Sequence, residues 1–259
     1  MWLTLHPEEQ IQRLRGHDTD KDDPVNGHTT HPPLRPVRGT ARVAVVALAL
    51  AAVAWAARAV WHTRLAVAGM PAAGPMDQGG GQHRPPTALE DGYHIVSSLG
   101  DAVTVLCAAM FLNWLWRVRD NARAFSGERP RYIWPWMYLG WIVPIMNLWV
   151  PRGLVVDIHR ASAPGERLPG VVNWWWGLWL AGMLGGAGLI YADDTDDVIG
   201  RAYTDVGLLL AADAAVIGAA VACALVVRTL TKVQQDRLDR TARDESAGAS
   251  ESADVAARG

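Results

Sequence analysis

Arg58, Asp101 and Asp213 are ionisable residues set inside otherwise apolar runs of this 259-residue chain. A lone charge near the centre of a hydrocarbon layer costs at least ~2.5 kcal/mol, so such residues pair with one another. The pair can fix helix register, which is the ordinary use of a buried salt bridge, or it can mark a proton or ion pathway. Ser97 and Thr104 lie one turn to either side of Asp101 and share its face. The three ionisable residues are expected to face one another inside a helical bundle, in the outer half of a membrane.

A second set is rich in amides. Asn113, Arg117 and Asn121 recur every four residues and so fall on one helix face. Asn147 lies in a proline-broken stretch and Asn173 opens the next apolar run, at what the sequence suggests is a similar depth. These amides could satisfy backbone groups that Pro144 and Pro151 leave free. With Arg117 they could also form a polar vestibule at the cytoplasmic side for an anionic headgroup or a small anion.

Little else could do chemistry. Asp157 and His159 in "DIHRAS" have no nucleophile motif or metal-ligand spacing beside them, and "DDTDD" (193–197) reads as an outward acidic loop. No P-loop, GxSxG or HExxH occurs. His17, His28 and His31 sit in a polar, proline-rich stretch without a frame for a metal. Cys107 and Cys223 fall in apolar runs, form no CxxC pair, and read as small packed hydrophobes. The expectation is a non-enzymatic protein with no cofactor and no metal. A net charge of −2 gives no signal for nucleic acid.

The elements that must position these residues are hydrophobic runs of about 20 residues, the length that crosses a ~30 Å hydrocarbon core. They are 41–61, 94–116, 171–191 and 206–227. Residues 1–40 read as a disordered tail with a short helix near 7–15, and 62–92 as a Gly/Pro-rich loop. "AVA" at 66–68 resembles a cleavage site, but the apolar run before it is long and sits behind forty polar residues, so an uncleaved anchor is expected. Residues 232–259 read as a charged, mostly disordered tail, with Asp236/Arg240 and Asp239/Arg243 spaced for helical pairs. Small residues four apart (Gly177/Ala181/Gly185, Gly182/Gly186 and Ala214/Gly218/Ala222) allow close helix contact.

"IWPWMYLGWIVPIMNLWVPRG" (133–153) is the ambiguous stretch. It is apolar enough to cross, yet it carries Pro135, Pro144 and Pro151 and four tryptophans. Lys and Arg distribution decides between the topologies. If the stretch crosses, giving five spans, 12 basic residues lie inside and 11 outside. If it enters and leaves by one face, 20 lie inside and 3 outside. Three prolines favour a broken helix, and Trp134, Trp136, Tyr138, Trp141 and Trp149 suit an interfacial zone.

"FLNWLWRVRDNA" (111–122), "GWIVPIMNLWVPRGLVVDIHRAS" (140–162) and "WWWGLWL" (174–180) resemble the actinobacterial membrane family known as domain of unknown function 4328. The resemblance rests on Trp114/Arg117/Asn121, on Trp141/Pro144/Asn147/Trp149/Pro151 and on Trp175/Trp176/Trp179. It is close over about 107–180 and extends in architecture over 90–230. It implies a polytopic membrane protein of an actinobacterium and no particular activity.

The reading is an all-α integral membrane protein: a four-helix transmembrane bundle with a Trp/Pro-rich re-entrant or interfacial segment at 133–151. It would lie in the cell membrane with both termini cytoplasmic. The expected role is a scaffold or sensor whose partner is the lipid bilayer, anionic lipid included, with the protein partner unidentified. A small transporter or channel subunit using Arg58, Asp101 and Asp213 is the alternative.

Overall fold

A computed structural model of the chain describes residues 34–71, 84–127, 131–133, 135–190 and 195–258. The tail expected at 1–40 therefore lies almost wholly outside the described residues, as do its histidines and Trp134. Among the described residues every regular element is helical: α1 (Arg38–Ala68), α2 (Ala88–Ser126), α3 (Trp136–Ile142), a 3-10 turn (Met146–Leu148), α4 (Val150–Ser162), α5 (Val171–Ile190), α6 (Thr195–Thr204) and α7 (Val206–Arg258).

Three of these helices, α1, α2 and the Val206–Gly248 part of α7, are long and apolar enough to cross a membrane. Their outward residues are apolar too. Val43, Val46, Leu50 and Val53 on α1, Leu99, Val105 and Leu106 on α2, and Val221 and Leu225 on α7 are all exposed. Apolar residues on both the inner and the outer face are the mark of a helix solvated by lipid.

Helices α1 and α2 run antiparallel, and α7 packs along α1 and α5. The bundle has two ends. The proximal end holds the start of α1 and the end of α2, where Asn121 Nδ2 donates to Arg35 O and Arg35 N donates to Asn121 Oδ1, both at 2.9 Å. The distal end holds the start of α2 and all of α6. Aromatic packing fills the space between. Phe111 meets Trp114, Trp141 and Trp175 with ring centroids 5.5, 5.5 and 6.3 Å apart, and Trp114 is fully buried with its indole donating to Thr231 Oγ1.

Among the small-residue stripes, Gly182, Gly185 and Gly218 are the close contacts. A Cβ at Gly182 would lie 2.6 Å from Val216 Cγ2, one at Gly185 2.6 Å from Ala212 Cβ, and one at Gly218 3.1 Å from Leu178 Cδ1. Gly177 faces open space and Ala181 and Ala214 are exposed, so the spacing of four does not mark the seam by itself.

The proline-broken stretch folds as a hairpin. Its first limb starts at the proximal end, where Arg119 Nη2 donates to Tyr132 O at 2.7 Å. Trp116 stacks on Tyr138, and Trp141 reaches Trp175 and Trp179 further in. The chain turns over at Pro144, which has no N–H to extend α3, and Pro151 fits the first turn of α4. The second limb returns until the Ala161 and Ser162 carbonyls accept from Arg237 Nη1 at 2.8 and 3.1 Å. The two limbs touch where Gly140 leaves room for the buried Val150 side chain.

Two elements depart from expectation. The acidic stretch after 192 is helical from Thr195, forming α6. The charged C-terminal stretch, expected to lose structure beyond about residue 231, continues α7 to Arg258. It contains no proline and no glycine before Gly248, and its Ala, Arg, Gln and Glu residues are strong helix formers. Arg240 there turns to the Asp236 carbonyl rather than its carboxylate.

Candidate functional site

Two polar sites emerge, one buried toward the distal end and one open at the proximal end.

At the first, Arg58 from α1 donates from Nε (3.1 Å) and Nη2 (2.5 Å) to Asp213 Oδ1 on α7. His62, one turn along α1, reaches Asp213 Oδ2 through Nδ1 at 2.9 Å and Tyr93 Oη on α2 through Nε2 at 3.0 Å. Asp213 and His62 are fully buried, and the guanidinium also lies over the Trp55 ring at 3.8 Å. Asp213 thus receives three charge-assisted or polar contacts, which offsets the cost of holding a carboxylate out of water.

The pairing of Arg58 with Asp213 is as expected from the sequence; the inclusion of Asp101 is not. Asp101 is exposed on α2, because Gly100, Cys107, Phe111 and Trp114 set that helix's inward face and residue 101 falls about 100° round from Gly100. Thr104 donates to Gly100 O and accepts from the Trp55 indole instead of serving Asp101. His62 and Tyr93 were missed because His62 lies beyond the apolar core of its run and Tyr93 just before the next. The i+4 spacing of His62 from Arg58 and, for Tyr93, the antiparallel pairing of α1 with α2 were the available signals.

A cap closes the distal end over this network. Thr87 and Glu90 form a capping box at the start of α2, and Arg84 grips Glu90 through both nitrogens at 2.9 and 2.7 Å. Tyr203 of α6 donates to the same carboxylate. Glu90 precedes the apolar stretch 94–116, and Arg84, opposed by burial and aided by the Thr87 amide, holds its carboxyl down at about 2 against 4.5. A lowered folded-state value stabilises the cap above about pH 4.5, and the stabilisation disappears as pH falls toward 2. Hydrogen exchange across 87–93 is expected to rise over that interval in the wild type. In Glu90→Gln it is expected to be high already at neutral pH and flat across the interval.

The amides and Arg117 do not form one vestibule. Asn113 is exposed, Arg117 is half-buried and Asn121 is buried in its clasp on Arg35, because positions four apart drift about 40° per step around a helix. Asn147 is buried and donates to Met183 Sδ at 3.2 Å, whereas Asn173 is exposed and accepts from Arg152 at 2.7 Å. Ten residues of α5 separate those two levels, about 15 Å.

The proximal end holds a different cleft of about 490 Å³, lined by Arg119, Arg123, Arg131, Arg160 and Arg237 with Asp157 and Tyr132. Arg119 is buried, and Arg237 ties Phe125 O to the end of α4 while its guanidinium lies 4.7 Å from the Phe125 ring. Arg123 and Arg160 are exposed. Burial pushes Asp157 up despite Arg131 and Arg160 nearby, which weakens its hold on a negative charge. Burial pushes His159 down, toward its neutral form. The cleft is strongly positive, and guanidinium forks suit phosphate or carboxylate oxygens. Sequence spacing pointed to Arg117; the cleft is built from Arg119 and Arg123, on another face of the same helix.

Three helices of membrane-crossing length, outwardly apolar and holding an arginine–aspartate pair inside, define a polytopic helical membrane protein. Residues 87–232 match the model of the family described as domain of unknown function (DUF4328), and the chain belongs to that family. No curated protein and no solved structure matches it.

Proposed function

We propose that the chain is a non-enzymatic scaffold or sensor of the cell membrane that binds the headgroup of an anionic phospholipid in its proximal arginine cleft. The observation that carries this reading is the convergence of five arginines, from α2, the hairpin and α7, on one open cleft with a single weakened carboxylate. Trp116, one turn of α2 before Arg119, stacks on Tyr138, as aromatic side chains do where they meet headgroups. The proximal end is the cytoplasmic one under the positive-inside rule, since Arg38, Arg42, Arg228 and Lys232 also gather there. α5 serves as a fourth span, and the hairpin is re-entrant. Both of its ends meeting the arginines of one bundle end supports that topology.

The test uses the full chain purified from bilayers containing phosphatidylglycerol and a neutral lipid. Arg123→Ala/Arg160→Ala removes two exposed cleft charges that tie no carbonyl. At about 1 kcal/mol per basic residue, retention of phosphatidylglycerol is expected to fall about thirtyfold with thermal stability unchanged. Equal retention by the double variant would overturn the reading. The second reading, a small transporter or channel subunit, draws its support from the buried Arg58–Asp213 pair.

A further inference from the structure

Arg58 and Asp213 already balance each other's charge, yet the network continues through His62 to Tyr93. An imidazole with its hydrogen on Nδ1 donates to Asp213 Oδ2 and accepts at Nε2 from the Tyr93 phenol. An imidazolium donates at both nitrogens. Passing from the first state to the second requires only that the phenol hydrogen turn away from the ring. The buried Ser97 hydroxyl, one turn along α2 from Tyr93, has no hydrogen-bond partner among the described residues, and it lies near enough to act on the phenol. Both states keep both hydrogen bonds of the ring. One turn beyond Ser97, and about 80° round the helix from Tyr93, is Asp101 at the exposed surface.

We infer that His62 is a reversible proton-binding site, loaded through Tyr93 and Ser97 from the Asp101 side of α2. In the loading step the phenol passes its hydrogen to His62 Nε2 while the incoming proton, relayed by the Ser97 hydroxyl, takes its place on the phenol oxygen. The imidazole gains one proton and Asp101 or the medium loses one. The groups facing the ring from its packed neighbours are Arg58 on its own helix, Tyr93 on α2 and Asp213 on α7. α6 packs alongside on Leu65 and Tyr93 through Ile199 and Ala202, and its Tyr203 is turned to Glu90. The inference does not depend on headgroup binding at the other end.

The experiment is nitrogen NMR of the full chain, ¹⁵N-labelled at its histidines, in lipid nanodiscs. His62 is the signal displaced by Tyr93→Phe, since among the described residues it is the histidine hydrogen-bonded to that phenol. Lowering the pH is expected to convert this signal from the singly to the doubly protonated form in the wild type. In Tyr93→Phe its proton exchange is expected to slow on the order of 100-fold. A signal fixed in one protonation state throughout, or one exchanging as fast without the phenol as with it, would overturn the inference. The wild-type titration requires no variant to fold.

Discussion

Asp213→Leu is expected to lower the unfolding free energy by about 3–5 kcal/mol, measured by denaturant titration of the protein in mild detergent. The cost comes from what is left behind. Arg58 is 6% exposed, and without Asp213 its guanidinium retains only the face of Trp55 as a partner for its charge. His62 also loses the acceptor for its Nδ1 hydrogen. The double replacement Arg58→Leu/Asp213→Leu is expected to recover most of the loss, since removing both charges removes the penalty of burying either. Asp101→Asn supplies the contrast. It changes an exposed residue outside the pair, so its effect is expected to stay within about 0.5 kcal/mol. An Asp101→Asn variant as unstable as Asp213→Leu would show that the carboxylate belongs to the network after all.

Gly185→Val is expected to cost about 1–3 kcal/mol and to loosen α5 from α7. Its new Cβ would sit 2.6 Å from Ala212 Cβ and 3.4 Å from Ala212 Cα, and neither atom can swing aside. Under the proposed four-span topology there is little hydrophobic drive between α5 and α7 to offset the separation, because lipid tails are as apolar as the side chains they replace. Gly177→Val, two turns back along the same stripe but facing open space, is expected to leave stability unchanged in the same titration. Accelerated proteolysis near 163–170 in Gly185→Val but not Gly177→Val would locate the loosened contact.

The helices were legible because apolar runs of bilayer length leave few alternatives, and Arg58 and Asp213 were legible because a charge in such a run must find its opposite. Which faces turn inward was less so. Asp101 sits only four residues from Ser97 and three from Thr104, but inward packing is set by Gly100, Cys107 and Phe111, and the carboxylate falls about 100° round from Gly100. Asn147 and Asn173 look alike in sequence, yet the hairpin carries one deep against Met183 and leaves the other at the rim with Arg152. The arginine cleft depends on the hairpin's return bringing Arg160 to Arg119 and Arg237, a closure that no local spacing records.

α7 is one uninterrupted helix from Asp213 to Arg237, about 36 Å at 1.5 Å per residue. At one end it is locked to Arg58 and His62; at the other, Gln234 donates to Val118 O and Ser162 Oγ, and Arg237 grips Phe125, Ala161 and Ser162. The donors that shape the arginine cleft and the carboxylate that holds the ion pair are therefore carried on one continuous element, 24 residues apart, so neither end of α7 can be repositioned without straining the contacts of the other.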